Sequence, residues 1–428
     1  MQAAAQNPYG TWRHGPPGDS SFFPIAVWLQ EPPDASAYKQ AGVNVYVGLW
    51  EGPTQAQLTA LRSAGMPVIC DQNATGLQWV DSATIIGWMH GDEPDNAQWN
   101  EATQSYDPCI SPDTVRADYA RWRAADSTRP VYLNLGMGVA WTTWYGRGDC
   151  TGHTEMYPRY IQGCDIVSFD IYPVVSSDAT VQGNLWYVPK GVDSLQMWSA
   201  GRKPVWCWIE CTHINSQTKP TTSQVKTEVW MALVHGAQGF GYFCHEWVPS
   251  FNHRALLADA EMLAAVTAIN SRVRALAPVL NSPTVDSSGP VSRTNTAVPV
   301  DAIVKRHGGS YYLFSVAMRG DTTSATFRLP DTTISGTAEV LDESRSLTVT
   351  AGRFTDAFAA WGVHLYRIAE SQSVRNMAPA VREGANSPAA TRAAYTLRGA
   401  VVRDRSTAGV TLVRRAGDVR PEVRVLCR

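Results

Sequence analysis

The sequence predicts an α/β fold, a (β/α)8 TIM barrel with a small C-terminal antiparallel β-sandwich, and three observations carry that prediction. Eight short, continuous apolar runs recur between residues 24 and 247, each of the kind that suits a strand buried on both faces, and segments of helix length separate most of them. The runs lead into polar side chains, Glu31, Glu51, Asp71, Glu93, Asn134, Asp170, Glu210 and His245, as expected where a barrel assembles its site at the C-terminal ends of its strands. Beyond residue 290 the pattern changes to short runs divided by turns such as His307-Gly308-Gly309. An open doubly wound sheet competes poorly, because no Gly-rich phosphate loop follows an early strand.

Residues 1–23 form a lead-in without periodicity, rich in Pro, Gly and Ser. Its first six residues, MQAAAQ, read as an added Met on the small-residue remnant of a cleavage region, which predicts a secreted or periplasmic protein. Strand one is expected over 24–29, before Pro32-Pro33, with helical character over 34–41. Strand two, 43–50, stops at Glu51-Gly52-Pro53, and Thr54 is placed to cap a helix through Ala64. Strand three is 67–70. Strand four, 84–89, runs into Asp92-Glu93-Pro94-Asp95, where Pro94 forbids its continuation. After a long loop, Ser111-Pro112-Asp113 opens a helix to about Ala125. Strand five, 130–136, precedes a second long loop, 138–152, that carries Trp141, Trp144 and Tyr145. Strands six, seven and eight fall at 165–173, 204–210 and 239–247, with a helix over 223–235 before the last and another over 255–275 after it. The barrel therefore spans 24–278, a linker 279–290 and the sandwich 291–368, whose strands are read at 302–306, 310–317, 324–329 and 362–367. Residues 369–428 form an Arg/Ala-rich tail without clear period (Arg414, Arg415, Arg420, Arg424), expected to be weakly ordered and given no function.

With 17% charged residues and a formal net charge of -2, the chain does not resemble a nucleic-acid binder that tracks phosphates. No apolar run approaches the roughly 20 residues of a membrane helix, and a monomer without membrane or nucleic-acid partners is expected. Of 8 Cys, Cys70, Cys164, Cys207 and Cys244 lie in strand-like runs and read as buried thiols. Cys109 and Cys150 sit in loop-like surroundings and can pair, which agrees with export. The Cys207 to Cys211 spacing lacks a matching second pair, so no zinc site is read. The unusual feature is 16 Trp and 16 Tyr, many beside Gly, Pro or Asp. Exposed rings at such positions stack on flat apolar faces, and sugars offer them.

The chemistry is concentrated at Asp92, Glu93 and Asp95. Three carboxylates in four residues repel one another at a strand end, which favours a working acid over a solvated turn. Cleavage of a glycosidic bond with retention needs two carboxyl groups roughly 5–5.5 Å apart, one protonated and one ionised. Glu93 after strand four and Glu210 after strand seven are placed for this. In strand order and in these two positions the chain resembles the (β/α)8-barrel glycoside hydrolases of clan A; no particular family is assigned. The resemblance implies Glu93 as acid/base, Glu210 as nucleophile, Tyr172 as a residue orienting Glu210, and Trp247 as a stacking floor. The clan usually shows Asn-Glu at strand four, where this chain has Asp92-Glu93. Charge from Asp92 and Asp95 is expected to push the Glu93 pKa up, and donors from Tyr172 or His213 to keep Glu210 ionised. Asp92, Asn134, Asp170, Tyr172, His213, His245, Trp247, Trp50, Trp141 and Trp144 are the expected substrate contacts. His90, His213 and His245 belong to three strands and lack a His-x-His spacing, so neither metal nor cofactor is expected.

The expected function is a retaining glycoside hydrolase acting on a polysaccharide or oligosaccharide of β-glucan type. Aromatic loops after strands four and five favour a groove and endo action. A glycan-binding barrel without hydrolysis is the rival, because Asp replaces the clan's Asn; a metal-dependent hydrolase requires three His and Asp side chains to converge.

Overall fold

The computed structural model describes residues 7–370, except 287 and 288, and three short strands nearer the C-terminus. Two compact units divide the chain, Met1–Ser371 and Gln372–Arg428. In the first, eight parallel strands, Ile25–Trp28, Val45–Val47, Val68–Cys70, Ile85–Met89, Val131–Leu135, Ile166–Asp170, Val205–Glu210 and Gly239–Phe243, close into a barrel in chain order. Strand one pairs with strand eight to complete it. All eight lie on the expected runs.

Alternation along strand seven turns Trp206 and Trp208 into the barrel, where they pack with Trp28, Ile69, Met89 and Tyr132. Two such indoles fit because strand eight presents Gly239 and Gly241 at the register positions opposite. A Cβ at Gly239 would lie 2.6 Å from the Trp206 ring, and one at Gly241 would press still closer on Trp208. The indole nitrogens are satisfied inside: Trp208 Nε1 donates to the Tyr132 hydroxyl (3.1 Å) and Trp206 Nε1 to the Tyr9 hydroxyl (2.7 Å). Tyr9 in turn donates to the Gln238 carbonyl at 2.8 Å. The aperiodic lead-in therefore packs a fully buried ring against the barrel's interior aromatics.

The helix Gln55–Ala64 begins at a Thr54 capping box, Pro112–Ala125 at a Ser111 cap, and Thr222–Val234 at a second capping box on Thr221. In each, the side-chain oxygen satisfies an N–H that the first turn leaves free. The fully buried Arg129 braces the start of strand four, donating to the carbonyls of Val80 (2.6 Å) and Ile85 (2.7 Å) and to Asp126 (2.8 Å).

Four expectations need correction. The long loop after strand four contains a hairpin, Ala97–Asn100 with Ser105–Cys109. Its strands are largely exposed and carry no apolar period to read. The segment expected as a linker holds the strand Thr284–Asp286, which pairs with Val300–His307, so the sandwich begins earlier. The sandwich is also fuller: Ser292–Arg293, Gly336–Val340, Arg345–Val349 and Arg353–Phe358 join Thr284–Asp286 and the four expected strands, in one sheet of six and one of three. Phe327, Phe354, Phe358 and Tyr366 fill the space between the sheets. In the C-terminal unit, Ala393–Tyr395, Thr411–Arg414 and Glu422–Arg424 pair as an antiparallel sheet where no period was expected. Residues 1–6, Arg415 and Arg420 lie outside the described residues.

Cys109 and Cys150 form a disulfide between the hairpin and the loop after strand five, while Cys70, Cys164, Cys207, Cys211 and Cys244 are buried thiols. Among the described residues no helix is long and apolar enough to cross a membrane.

The barrel and the sandwich are joined by Trp230 packing on Phe314 (5.3 Å between ring centroids) and by His235, which bridges Asp193 of the helix Tyr187–Ser199 (2.9 Å) and Asp301 of the strand Val300–His307 (3.2 Å). Burial opposes the charge on this imidazole, but the two carboxylates prevail and raise its pKa from 6.5 to about 9. A raised folded-state pKa contributes stability that is complete below about pH 6.5 and lost as pH rises through about 9. His235→Gln should therefore lower the thermal midpoint at pH 6 and leave it near the wild-type value at pH 10; an equal loss at both pH values would refute the charged clamp.

Candidate active site at the barrel mouth

Strand four ends at Met89, and the chain turns sharply at Glu93, whose φ of 41° lies in the left-handed region. That conformation is uncommon for a residue with a Cβ and is found where surrounding bonds over-determine it. Here those bonds can be named. Asn96 Nδ2 donates to Glu93 Oε2 at 2.8 Å, and Asn96 Oδ1 accepts from Trp144 Nε1 at 3.2 Å. Glu93 Oε1 lies against Gly136: a Cβ there would come within 2.9 Å of it and 2.7 Å of Asn96 Nδ2. The φ of Gly136, -80°, is open to any residue, so what sets this position apart is close approach: a side chain here would have to displace the ends of Glu93 and Asn96.

The carboxyl groups of Glu93 and Asp170, from the ends of strands four and six, hydrogen-bond to each other. Asn134 Nδ2, on strand five between them, donates to Asp92 Oδ1 at 3.0 Å and reaches Asp170 Oδ1 at 3.5 Å. Ser168 Oγ donates to Asn134 Oδ1 (2.6 Å) and so fixes which way the amide points. Burial raises the pKa of Glu93 well above its usual range, and the charges of Asp170 and Asp92 add to the effect. Burial likewise pushes Asp170 up to about 7, with Asp92 contributing. Asp92 keeps exposed surface, yet desolvation by the surrounding protein still raises it to about 6, against the Asn134 bond. Of the three acids Glu93 is thus the one whose environment most favours the protonated form, with groups beside it that ionise more readily.

Asp95 completes the acidic run in the sequence but is committed elsewhere. It is fully buried and accepts from the Gly136 N–H (2.9 Å) and the Tyr157 hydroxyl (2.9 Å), with Arg147 Nε at 3.8 Å. It pins the strand-four loop to the strand-five loop.

Among the described residues no hydrogen bond joins Glu210 to Glu93. Glu210 is fully buried; its Oε1 accepts from the Val174 N–H at 2.6 Å and its Oε2 from the Val175 N–H at 2.9 Å. Its other carboxyl neighbour is Glu228, on the helix Thr222–Val234. Burial raises Glu210 to about 7 against the two backbone bonds. The donors expected from Tyr172 or His213 are replaced by these main-chain groups. Tyr172 lies between the two sets: burial raises its pKa, and Asp170, Glu93, Asp92 and Glu210 all contribute.

Of the expected aromatic contacts, Trp247 is 47% exposed and stacks on Phe243 at 5.9 Å. Phe243 meets Tyr172 at 5.3 Å, and Phe251, 60% exposed, meets Trp247 at 5.6 Å. A run of rings therefore leads from the rim to Tyr172. Trp144 packs on Trp141 and Tyr145, but Trp141 itself is buried in the core. Trp50 stands 68% exposed after strand two. His245 is buried, neutral, with a pKa lowered to about 4 by burial, and lies 3.3 Å from Gln30 Nε2. His213 instead lines a small cavity with Lys219, Glu246 and Asp259. His90 contacts the Gly163 carbonyl at 2.7 Å. Among the described residues no three His, Cys, Asp or Glu side chains are grouped to hold a metal.

Sequence reasoning missed Asn96, Gly136, Phe243, Phe251 and Gln30. Asn96 and Gly136 lie only a few residues from named strand ends, the one signal available for them. Phe243 was read as part of strand eight without a role.

No family model matches the chain, and no curated protein matches it. Solved structures resemble it at a distance. AmyP in complex with maltose has 10% identity and a TM-score of 0.49, covering 81% of this chain and 96% of that one. The glycoside hydrolase family 30 subfamily 8 xylanase Xyn30A from Clostridium acetobutylicum has 12% identity and a TM-score of 0.44, covering 81% and 95%. α-Galactosidase I from Mortierella vinacea has 11% identity and a TM-score of 0.47, covering 82% and 98%. Likeness this distant does not extend to chemistry.

The crowding at Gly136 gives a direct check. Gly136→Ala should destabilise the fold by about 1–3 kcal/mol, as overpacking does, measured by denaturant unfolding. Wild-type stability in this variant would mean that Glu93 and Asn96 are not held against the glycine.

Proposed function

We propose that the barrel mouth is the active site of a glycosidase acting on a polysaccharide or oligosaccharide, with Glu93 as the proton donor. The observation that carries this reading is the pairing of Glu93 and Asp170 at the C-terminal ends of barrel strands, the first pushed toward its protonated form by burial and the second ionising more readily beside it. The glycosidic oxygen of a bound sugar takes the place of Asp170 as acceptor of the Glu93 proton. The bond to the anomeric carbon breaks as that proton arrives, and the carboxylates of Asp170 and Asp92 stabilise the positive charge left on the sugar. Water then attacks the anomeric carbon and returns a proton to Glu93. Trp247, Phe251 and Phe243 offer ring faces to the sugars along the rim. In this reading Glu210, with both oxygens engaged, is an anchor and not the nucleophile expected from the sequence. The Cys109–Cys150 disulfide supports a secreted or periplasmic location, where such bonds persist.

The sealed state of Glu210 also favours a second reading, a barrel that binds glycans without cleaving them. Both are tested by product analysis on a panel of aryl glycosides and polysaccharides. The glycosidase reading expects turnover by wild type and a fall in kcat of about 10²–10⁴ in Glu93→Gln. Wild type that binds a polysaccharide, seen as quenching of Trp fluorescence, but releases no product favours the second reading.

A pH profile tests the pairing separately. Asp170→Asn removes a charge that adds to the effect of burial on Glu93, so the alkaline limb of kcat/KM should move to lower pH. An unmoved limb would separate Asp170 from the acid.

A further inference from the structure

Behind the mouth, two fully buried carboxyl groups, Glu210 and Glu228, meet with no Arg, Lys or His among the described residues bonded to either. Glu210 accepts two main-chain N–H bonds. Both oxygens of Glu228 find no donor. A buried carboxylate without a donor or counter-charge is untenable, whereas a carboxylic acid is itself a donor. Glu228 is therefore the protonated member, and its O–H donates to Glu210. The consequence reaches the mouth along the chain. The two amides that Glu210 holds belong to Val174 and Val175, directly after Tyr172-Pro173, and the Tyr172 ring lies on Phe243 and in the field of Asp170 and Glu93.

We propose that Glu228 is a positioning residue: as a neutral acid it orients Glu210, which through the Val174 and Val175 amides holds the segment 171–175 and keeps Tyr172 beside Glu93 and Asp170. The link to turnover rests on the reading of Glu93 and Asp170 as the reacting acids; the clamp itself does not. The role asks only for a buried neutral donor, so glutamine at position 228 serves it and alanine does not.

Amide hydrogen exchange of the intact protein tests the clamp without any substrate. In Glu228→Ala the peptide covering 171–176 should exchange at least about tenfold faster than in wild type, as expected for local opening, while strands one to five keep their protection. Glu228→Gln should keep wild-type protection. Unchanged exchange in the alanine variant overturns the proposal, and so does a glutamine variant as open as the alanine one. Should Glu228→Ala fail to fold, Glu228→Gln is compared with Glu210→Gln, which turns one amide acceptor into a donor: the first must keep protection and the second lose it. With p-nitrophenyl glycosides, kcat should fall about tenfold in Glu228→Ala at unchanged KM, and recover in Glu228→Gln. A loosened segment with unchanged kcat overturns the positioning role. If wild type turns over none of these glycosides, the glycosidase reading fails by itself. The exchange data then still decide the clamp, and a crystal structure of Glu228→Ala decides whether Tyr172 leaves Phe243.

Discussion

The packing of Trp206 and Trp208 against Gly239 and Gly241 is the constraint on which the upper barrel depends. Two indoles in one small barrel leave no room for side chains on strand eight at their level, and they exclude water from the floor beneath the strand ends. That dry floor explains the electrostatics above it. For Glu93, Asp92, Asp170 and Glu210 alike, burial is the leading cause of the raised pKa, ahead of any neighbouring charge. The same carboxylates over a wet cavity would simply ionise.

Six carboxyl groups near the strand ends cannot all be charged, and the structure resolves the conflict in five different ways. Asp95 takes an N–H, a tyrosine hydroxyl and a nearby Arg147. Glu210 takes two main-chain amides. Asp92 keeps contact with solvent and borrows the Asn134 amide. Glu93 and Glu228 are pushed by burial toward their neutral forms. Asp170 is left as the group whose charge depends on its neighbour, which is the property the proposed reaction uses.

The barrel was legible because buried parallel strands write themselves as continuous apolar runs, and Glu93 because acids crowd at the end of one. The partner of Glu93 was less legible. Spacing suggested Glu210, since strand number is readable from sequence, but the direction of a strand-end side chain is not: it depends on Val174 and Val175 after strand six and on Glu228 of the helix Thr222–Val234. Asp170 stood among the named contacts, yet nothing local distinguishes it from a loop brace. Hairpin residues 97–109 escaped for a different reason. Their strands lie largely in solvent, so no burial pattern marks them, and their placement comes from Cys109–Cys150 and from Gln98 Nε2 donating to the Glu93 and Asn96 carbonyls.

The two sides of the mouth are secured differently. Around Glu93 the ties are several: Asn96 held by Trp144, Asp95 with Gly136, Tyr157 and Arg147, and a disulfide. Losing one leaves the others, so a strained backbone at Glu93 is sustained. On the opposite side, the segment that carries Tyr172 has Glu210 as its side-chain acceptor, with the Gly183 N–H to the Pro173 carbonyl (2.9 Å) and a Ser176 N–H to the Tyr172 carbonyl (3.1 Å) as main-chain support. A single carboxylate bearing that load has to be placed invariantly, and full burial beside a second carboxyl group is how this fold fixes it. The burial that removes Glu210 from the list of exposed acids is thus the same burial that gives Tyr172 a defined place next to the proton of Glu93.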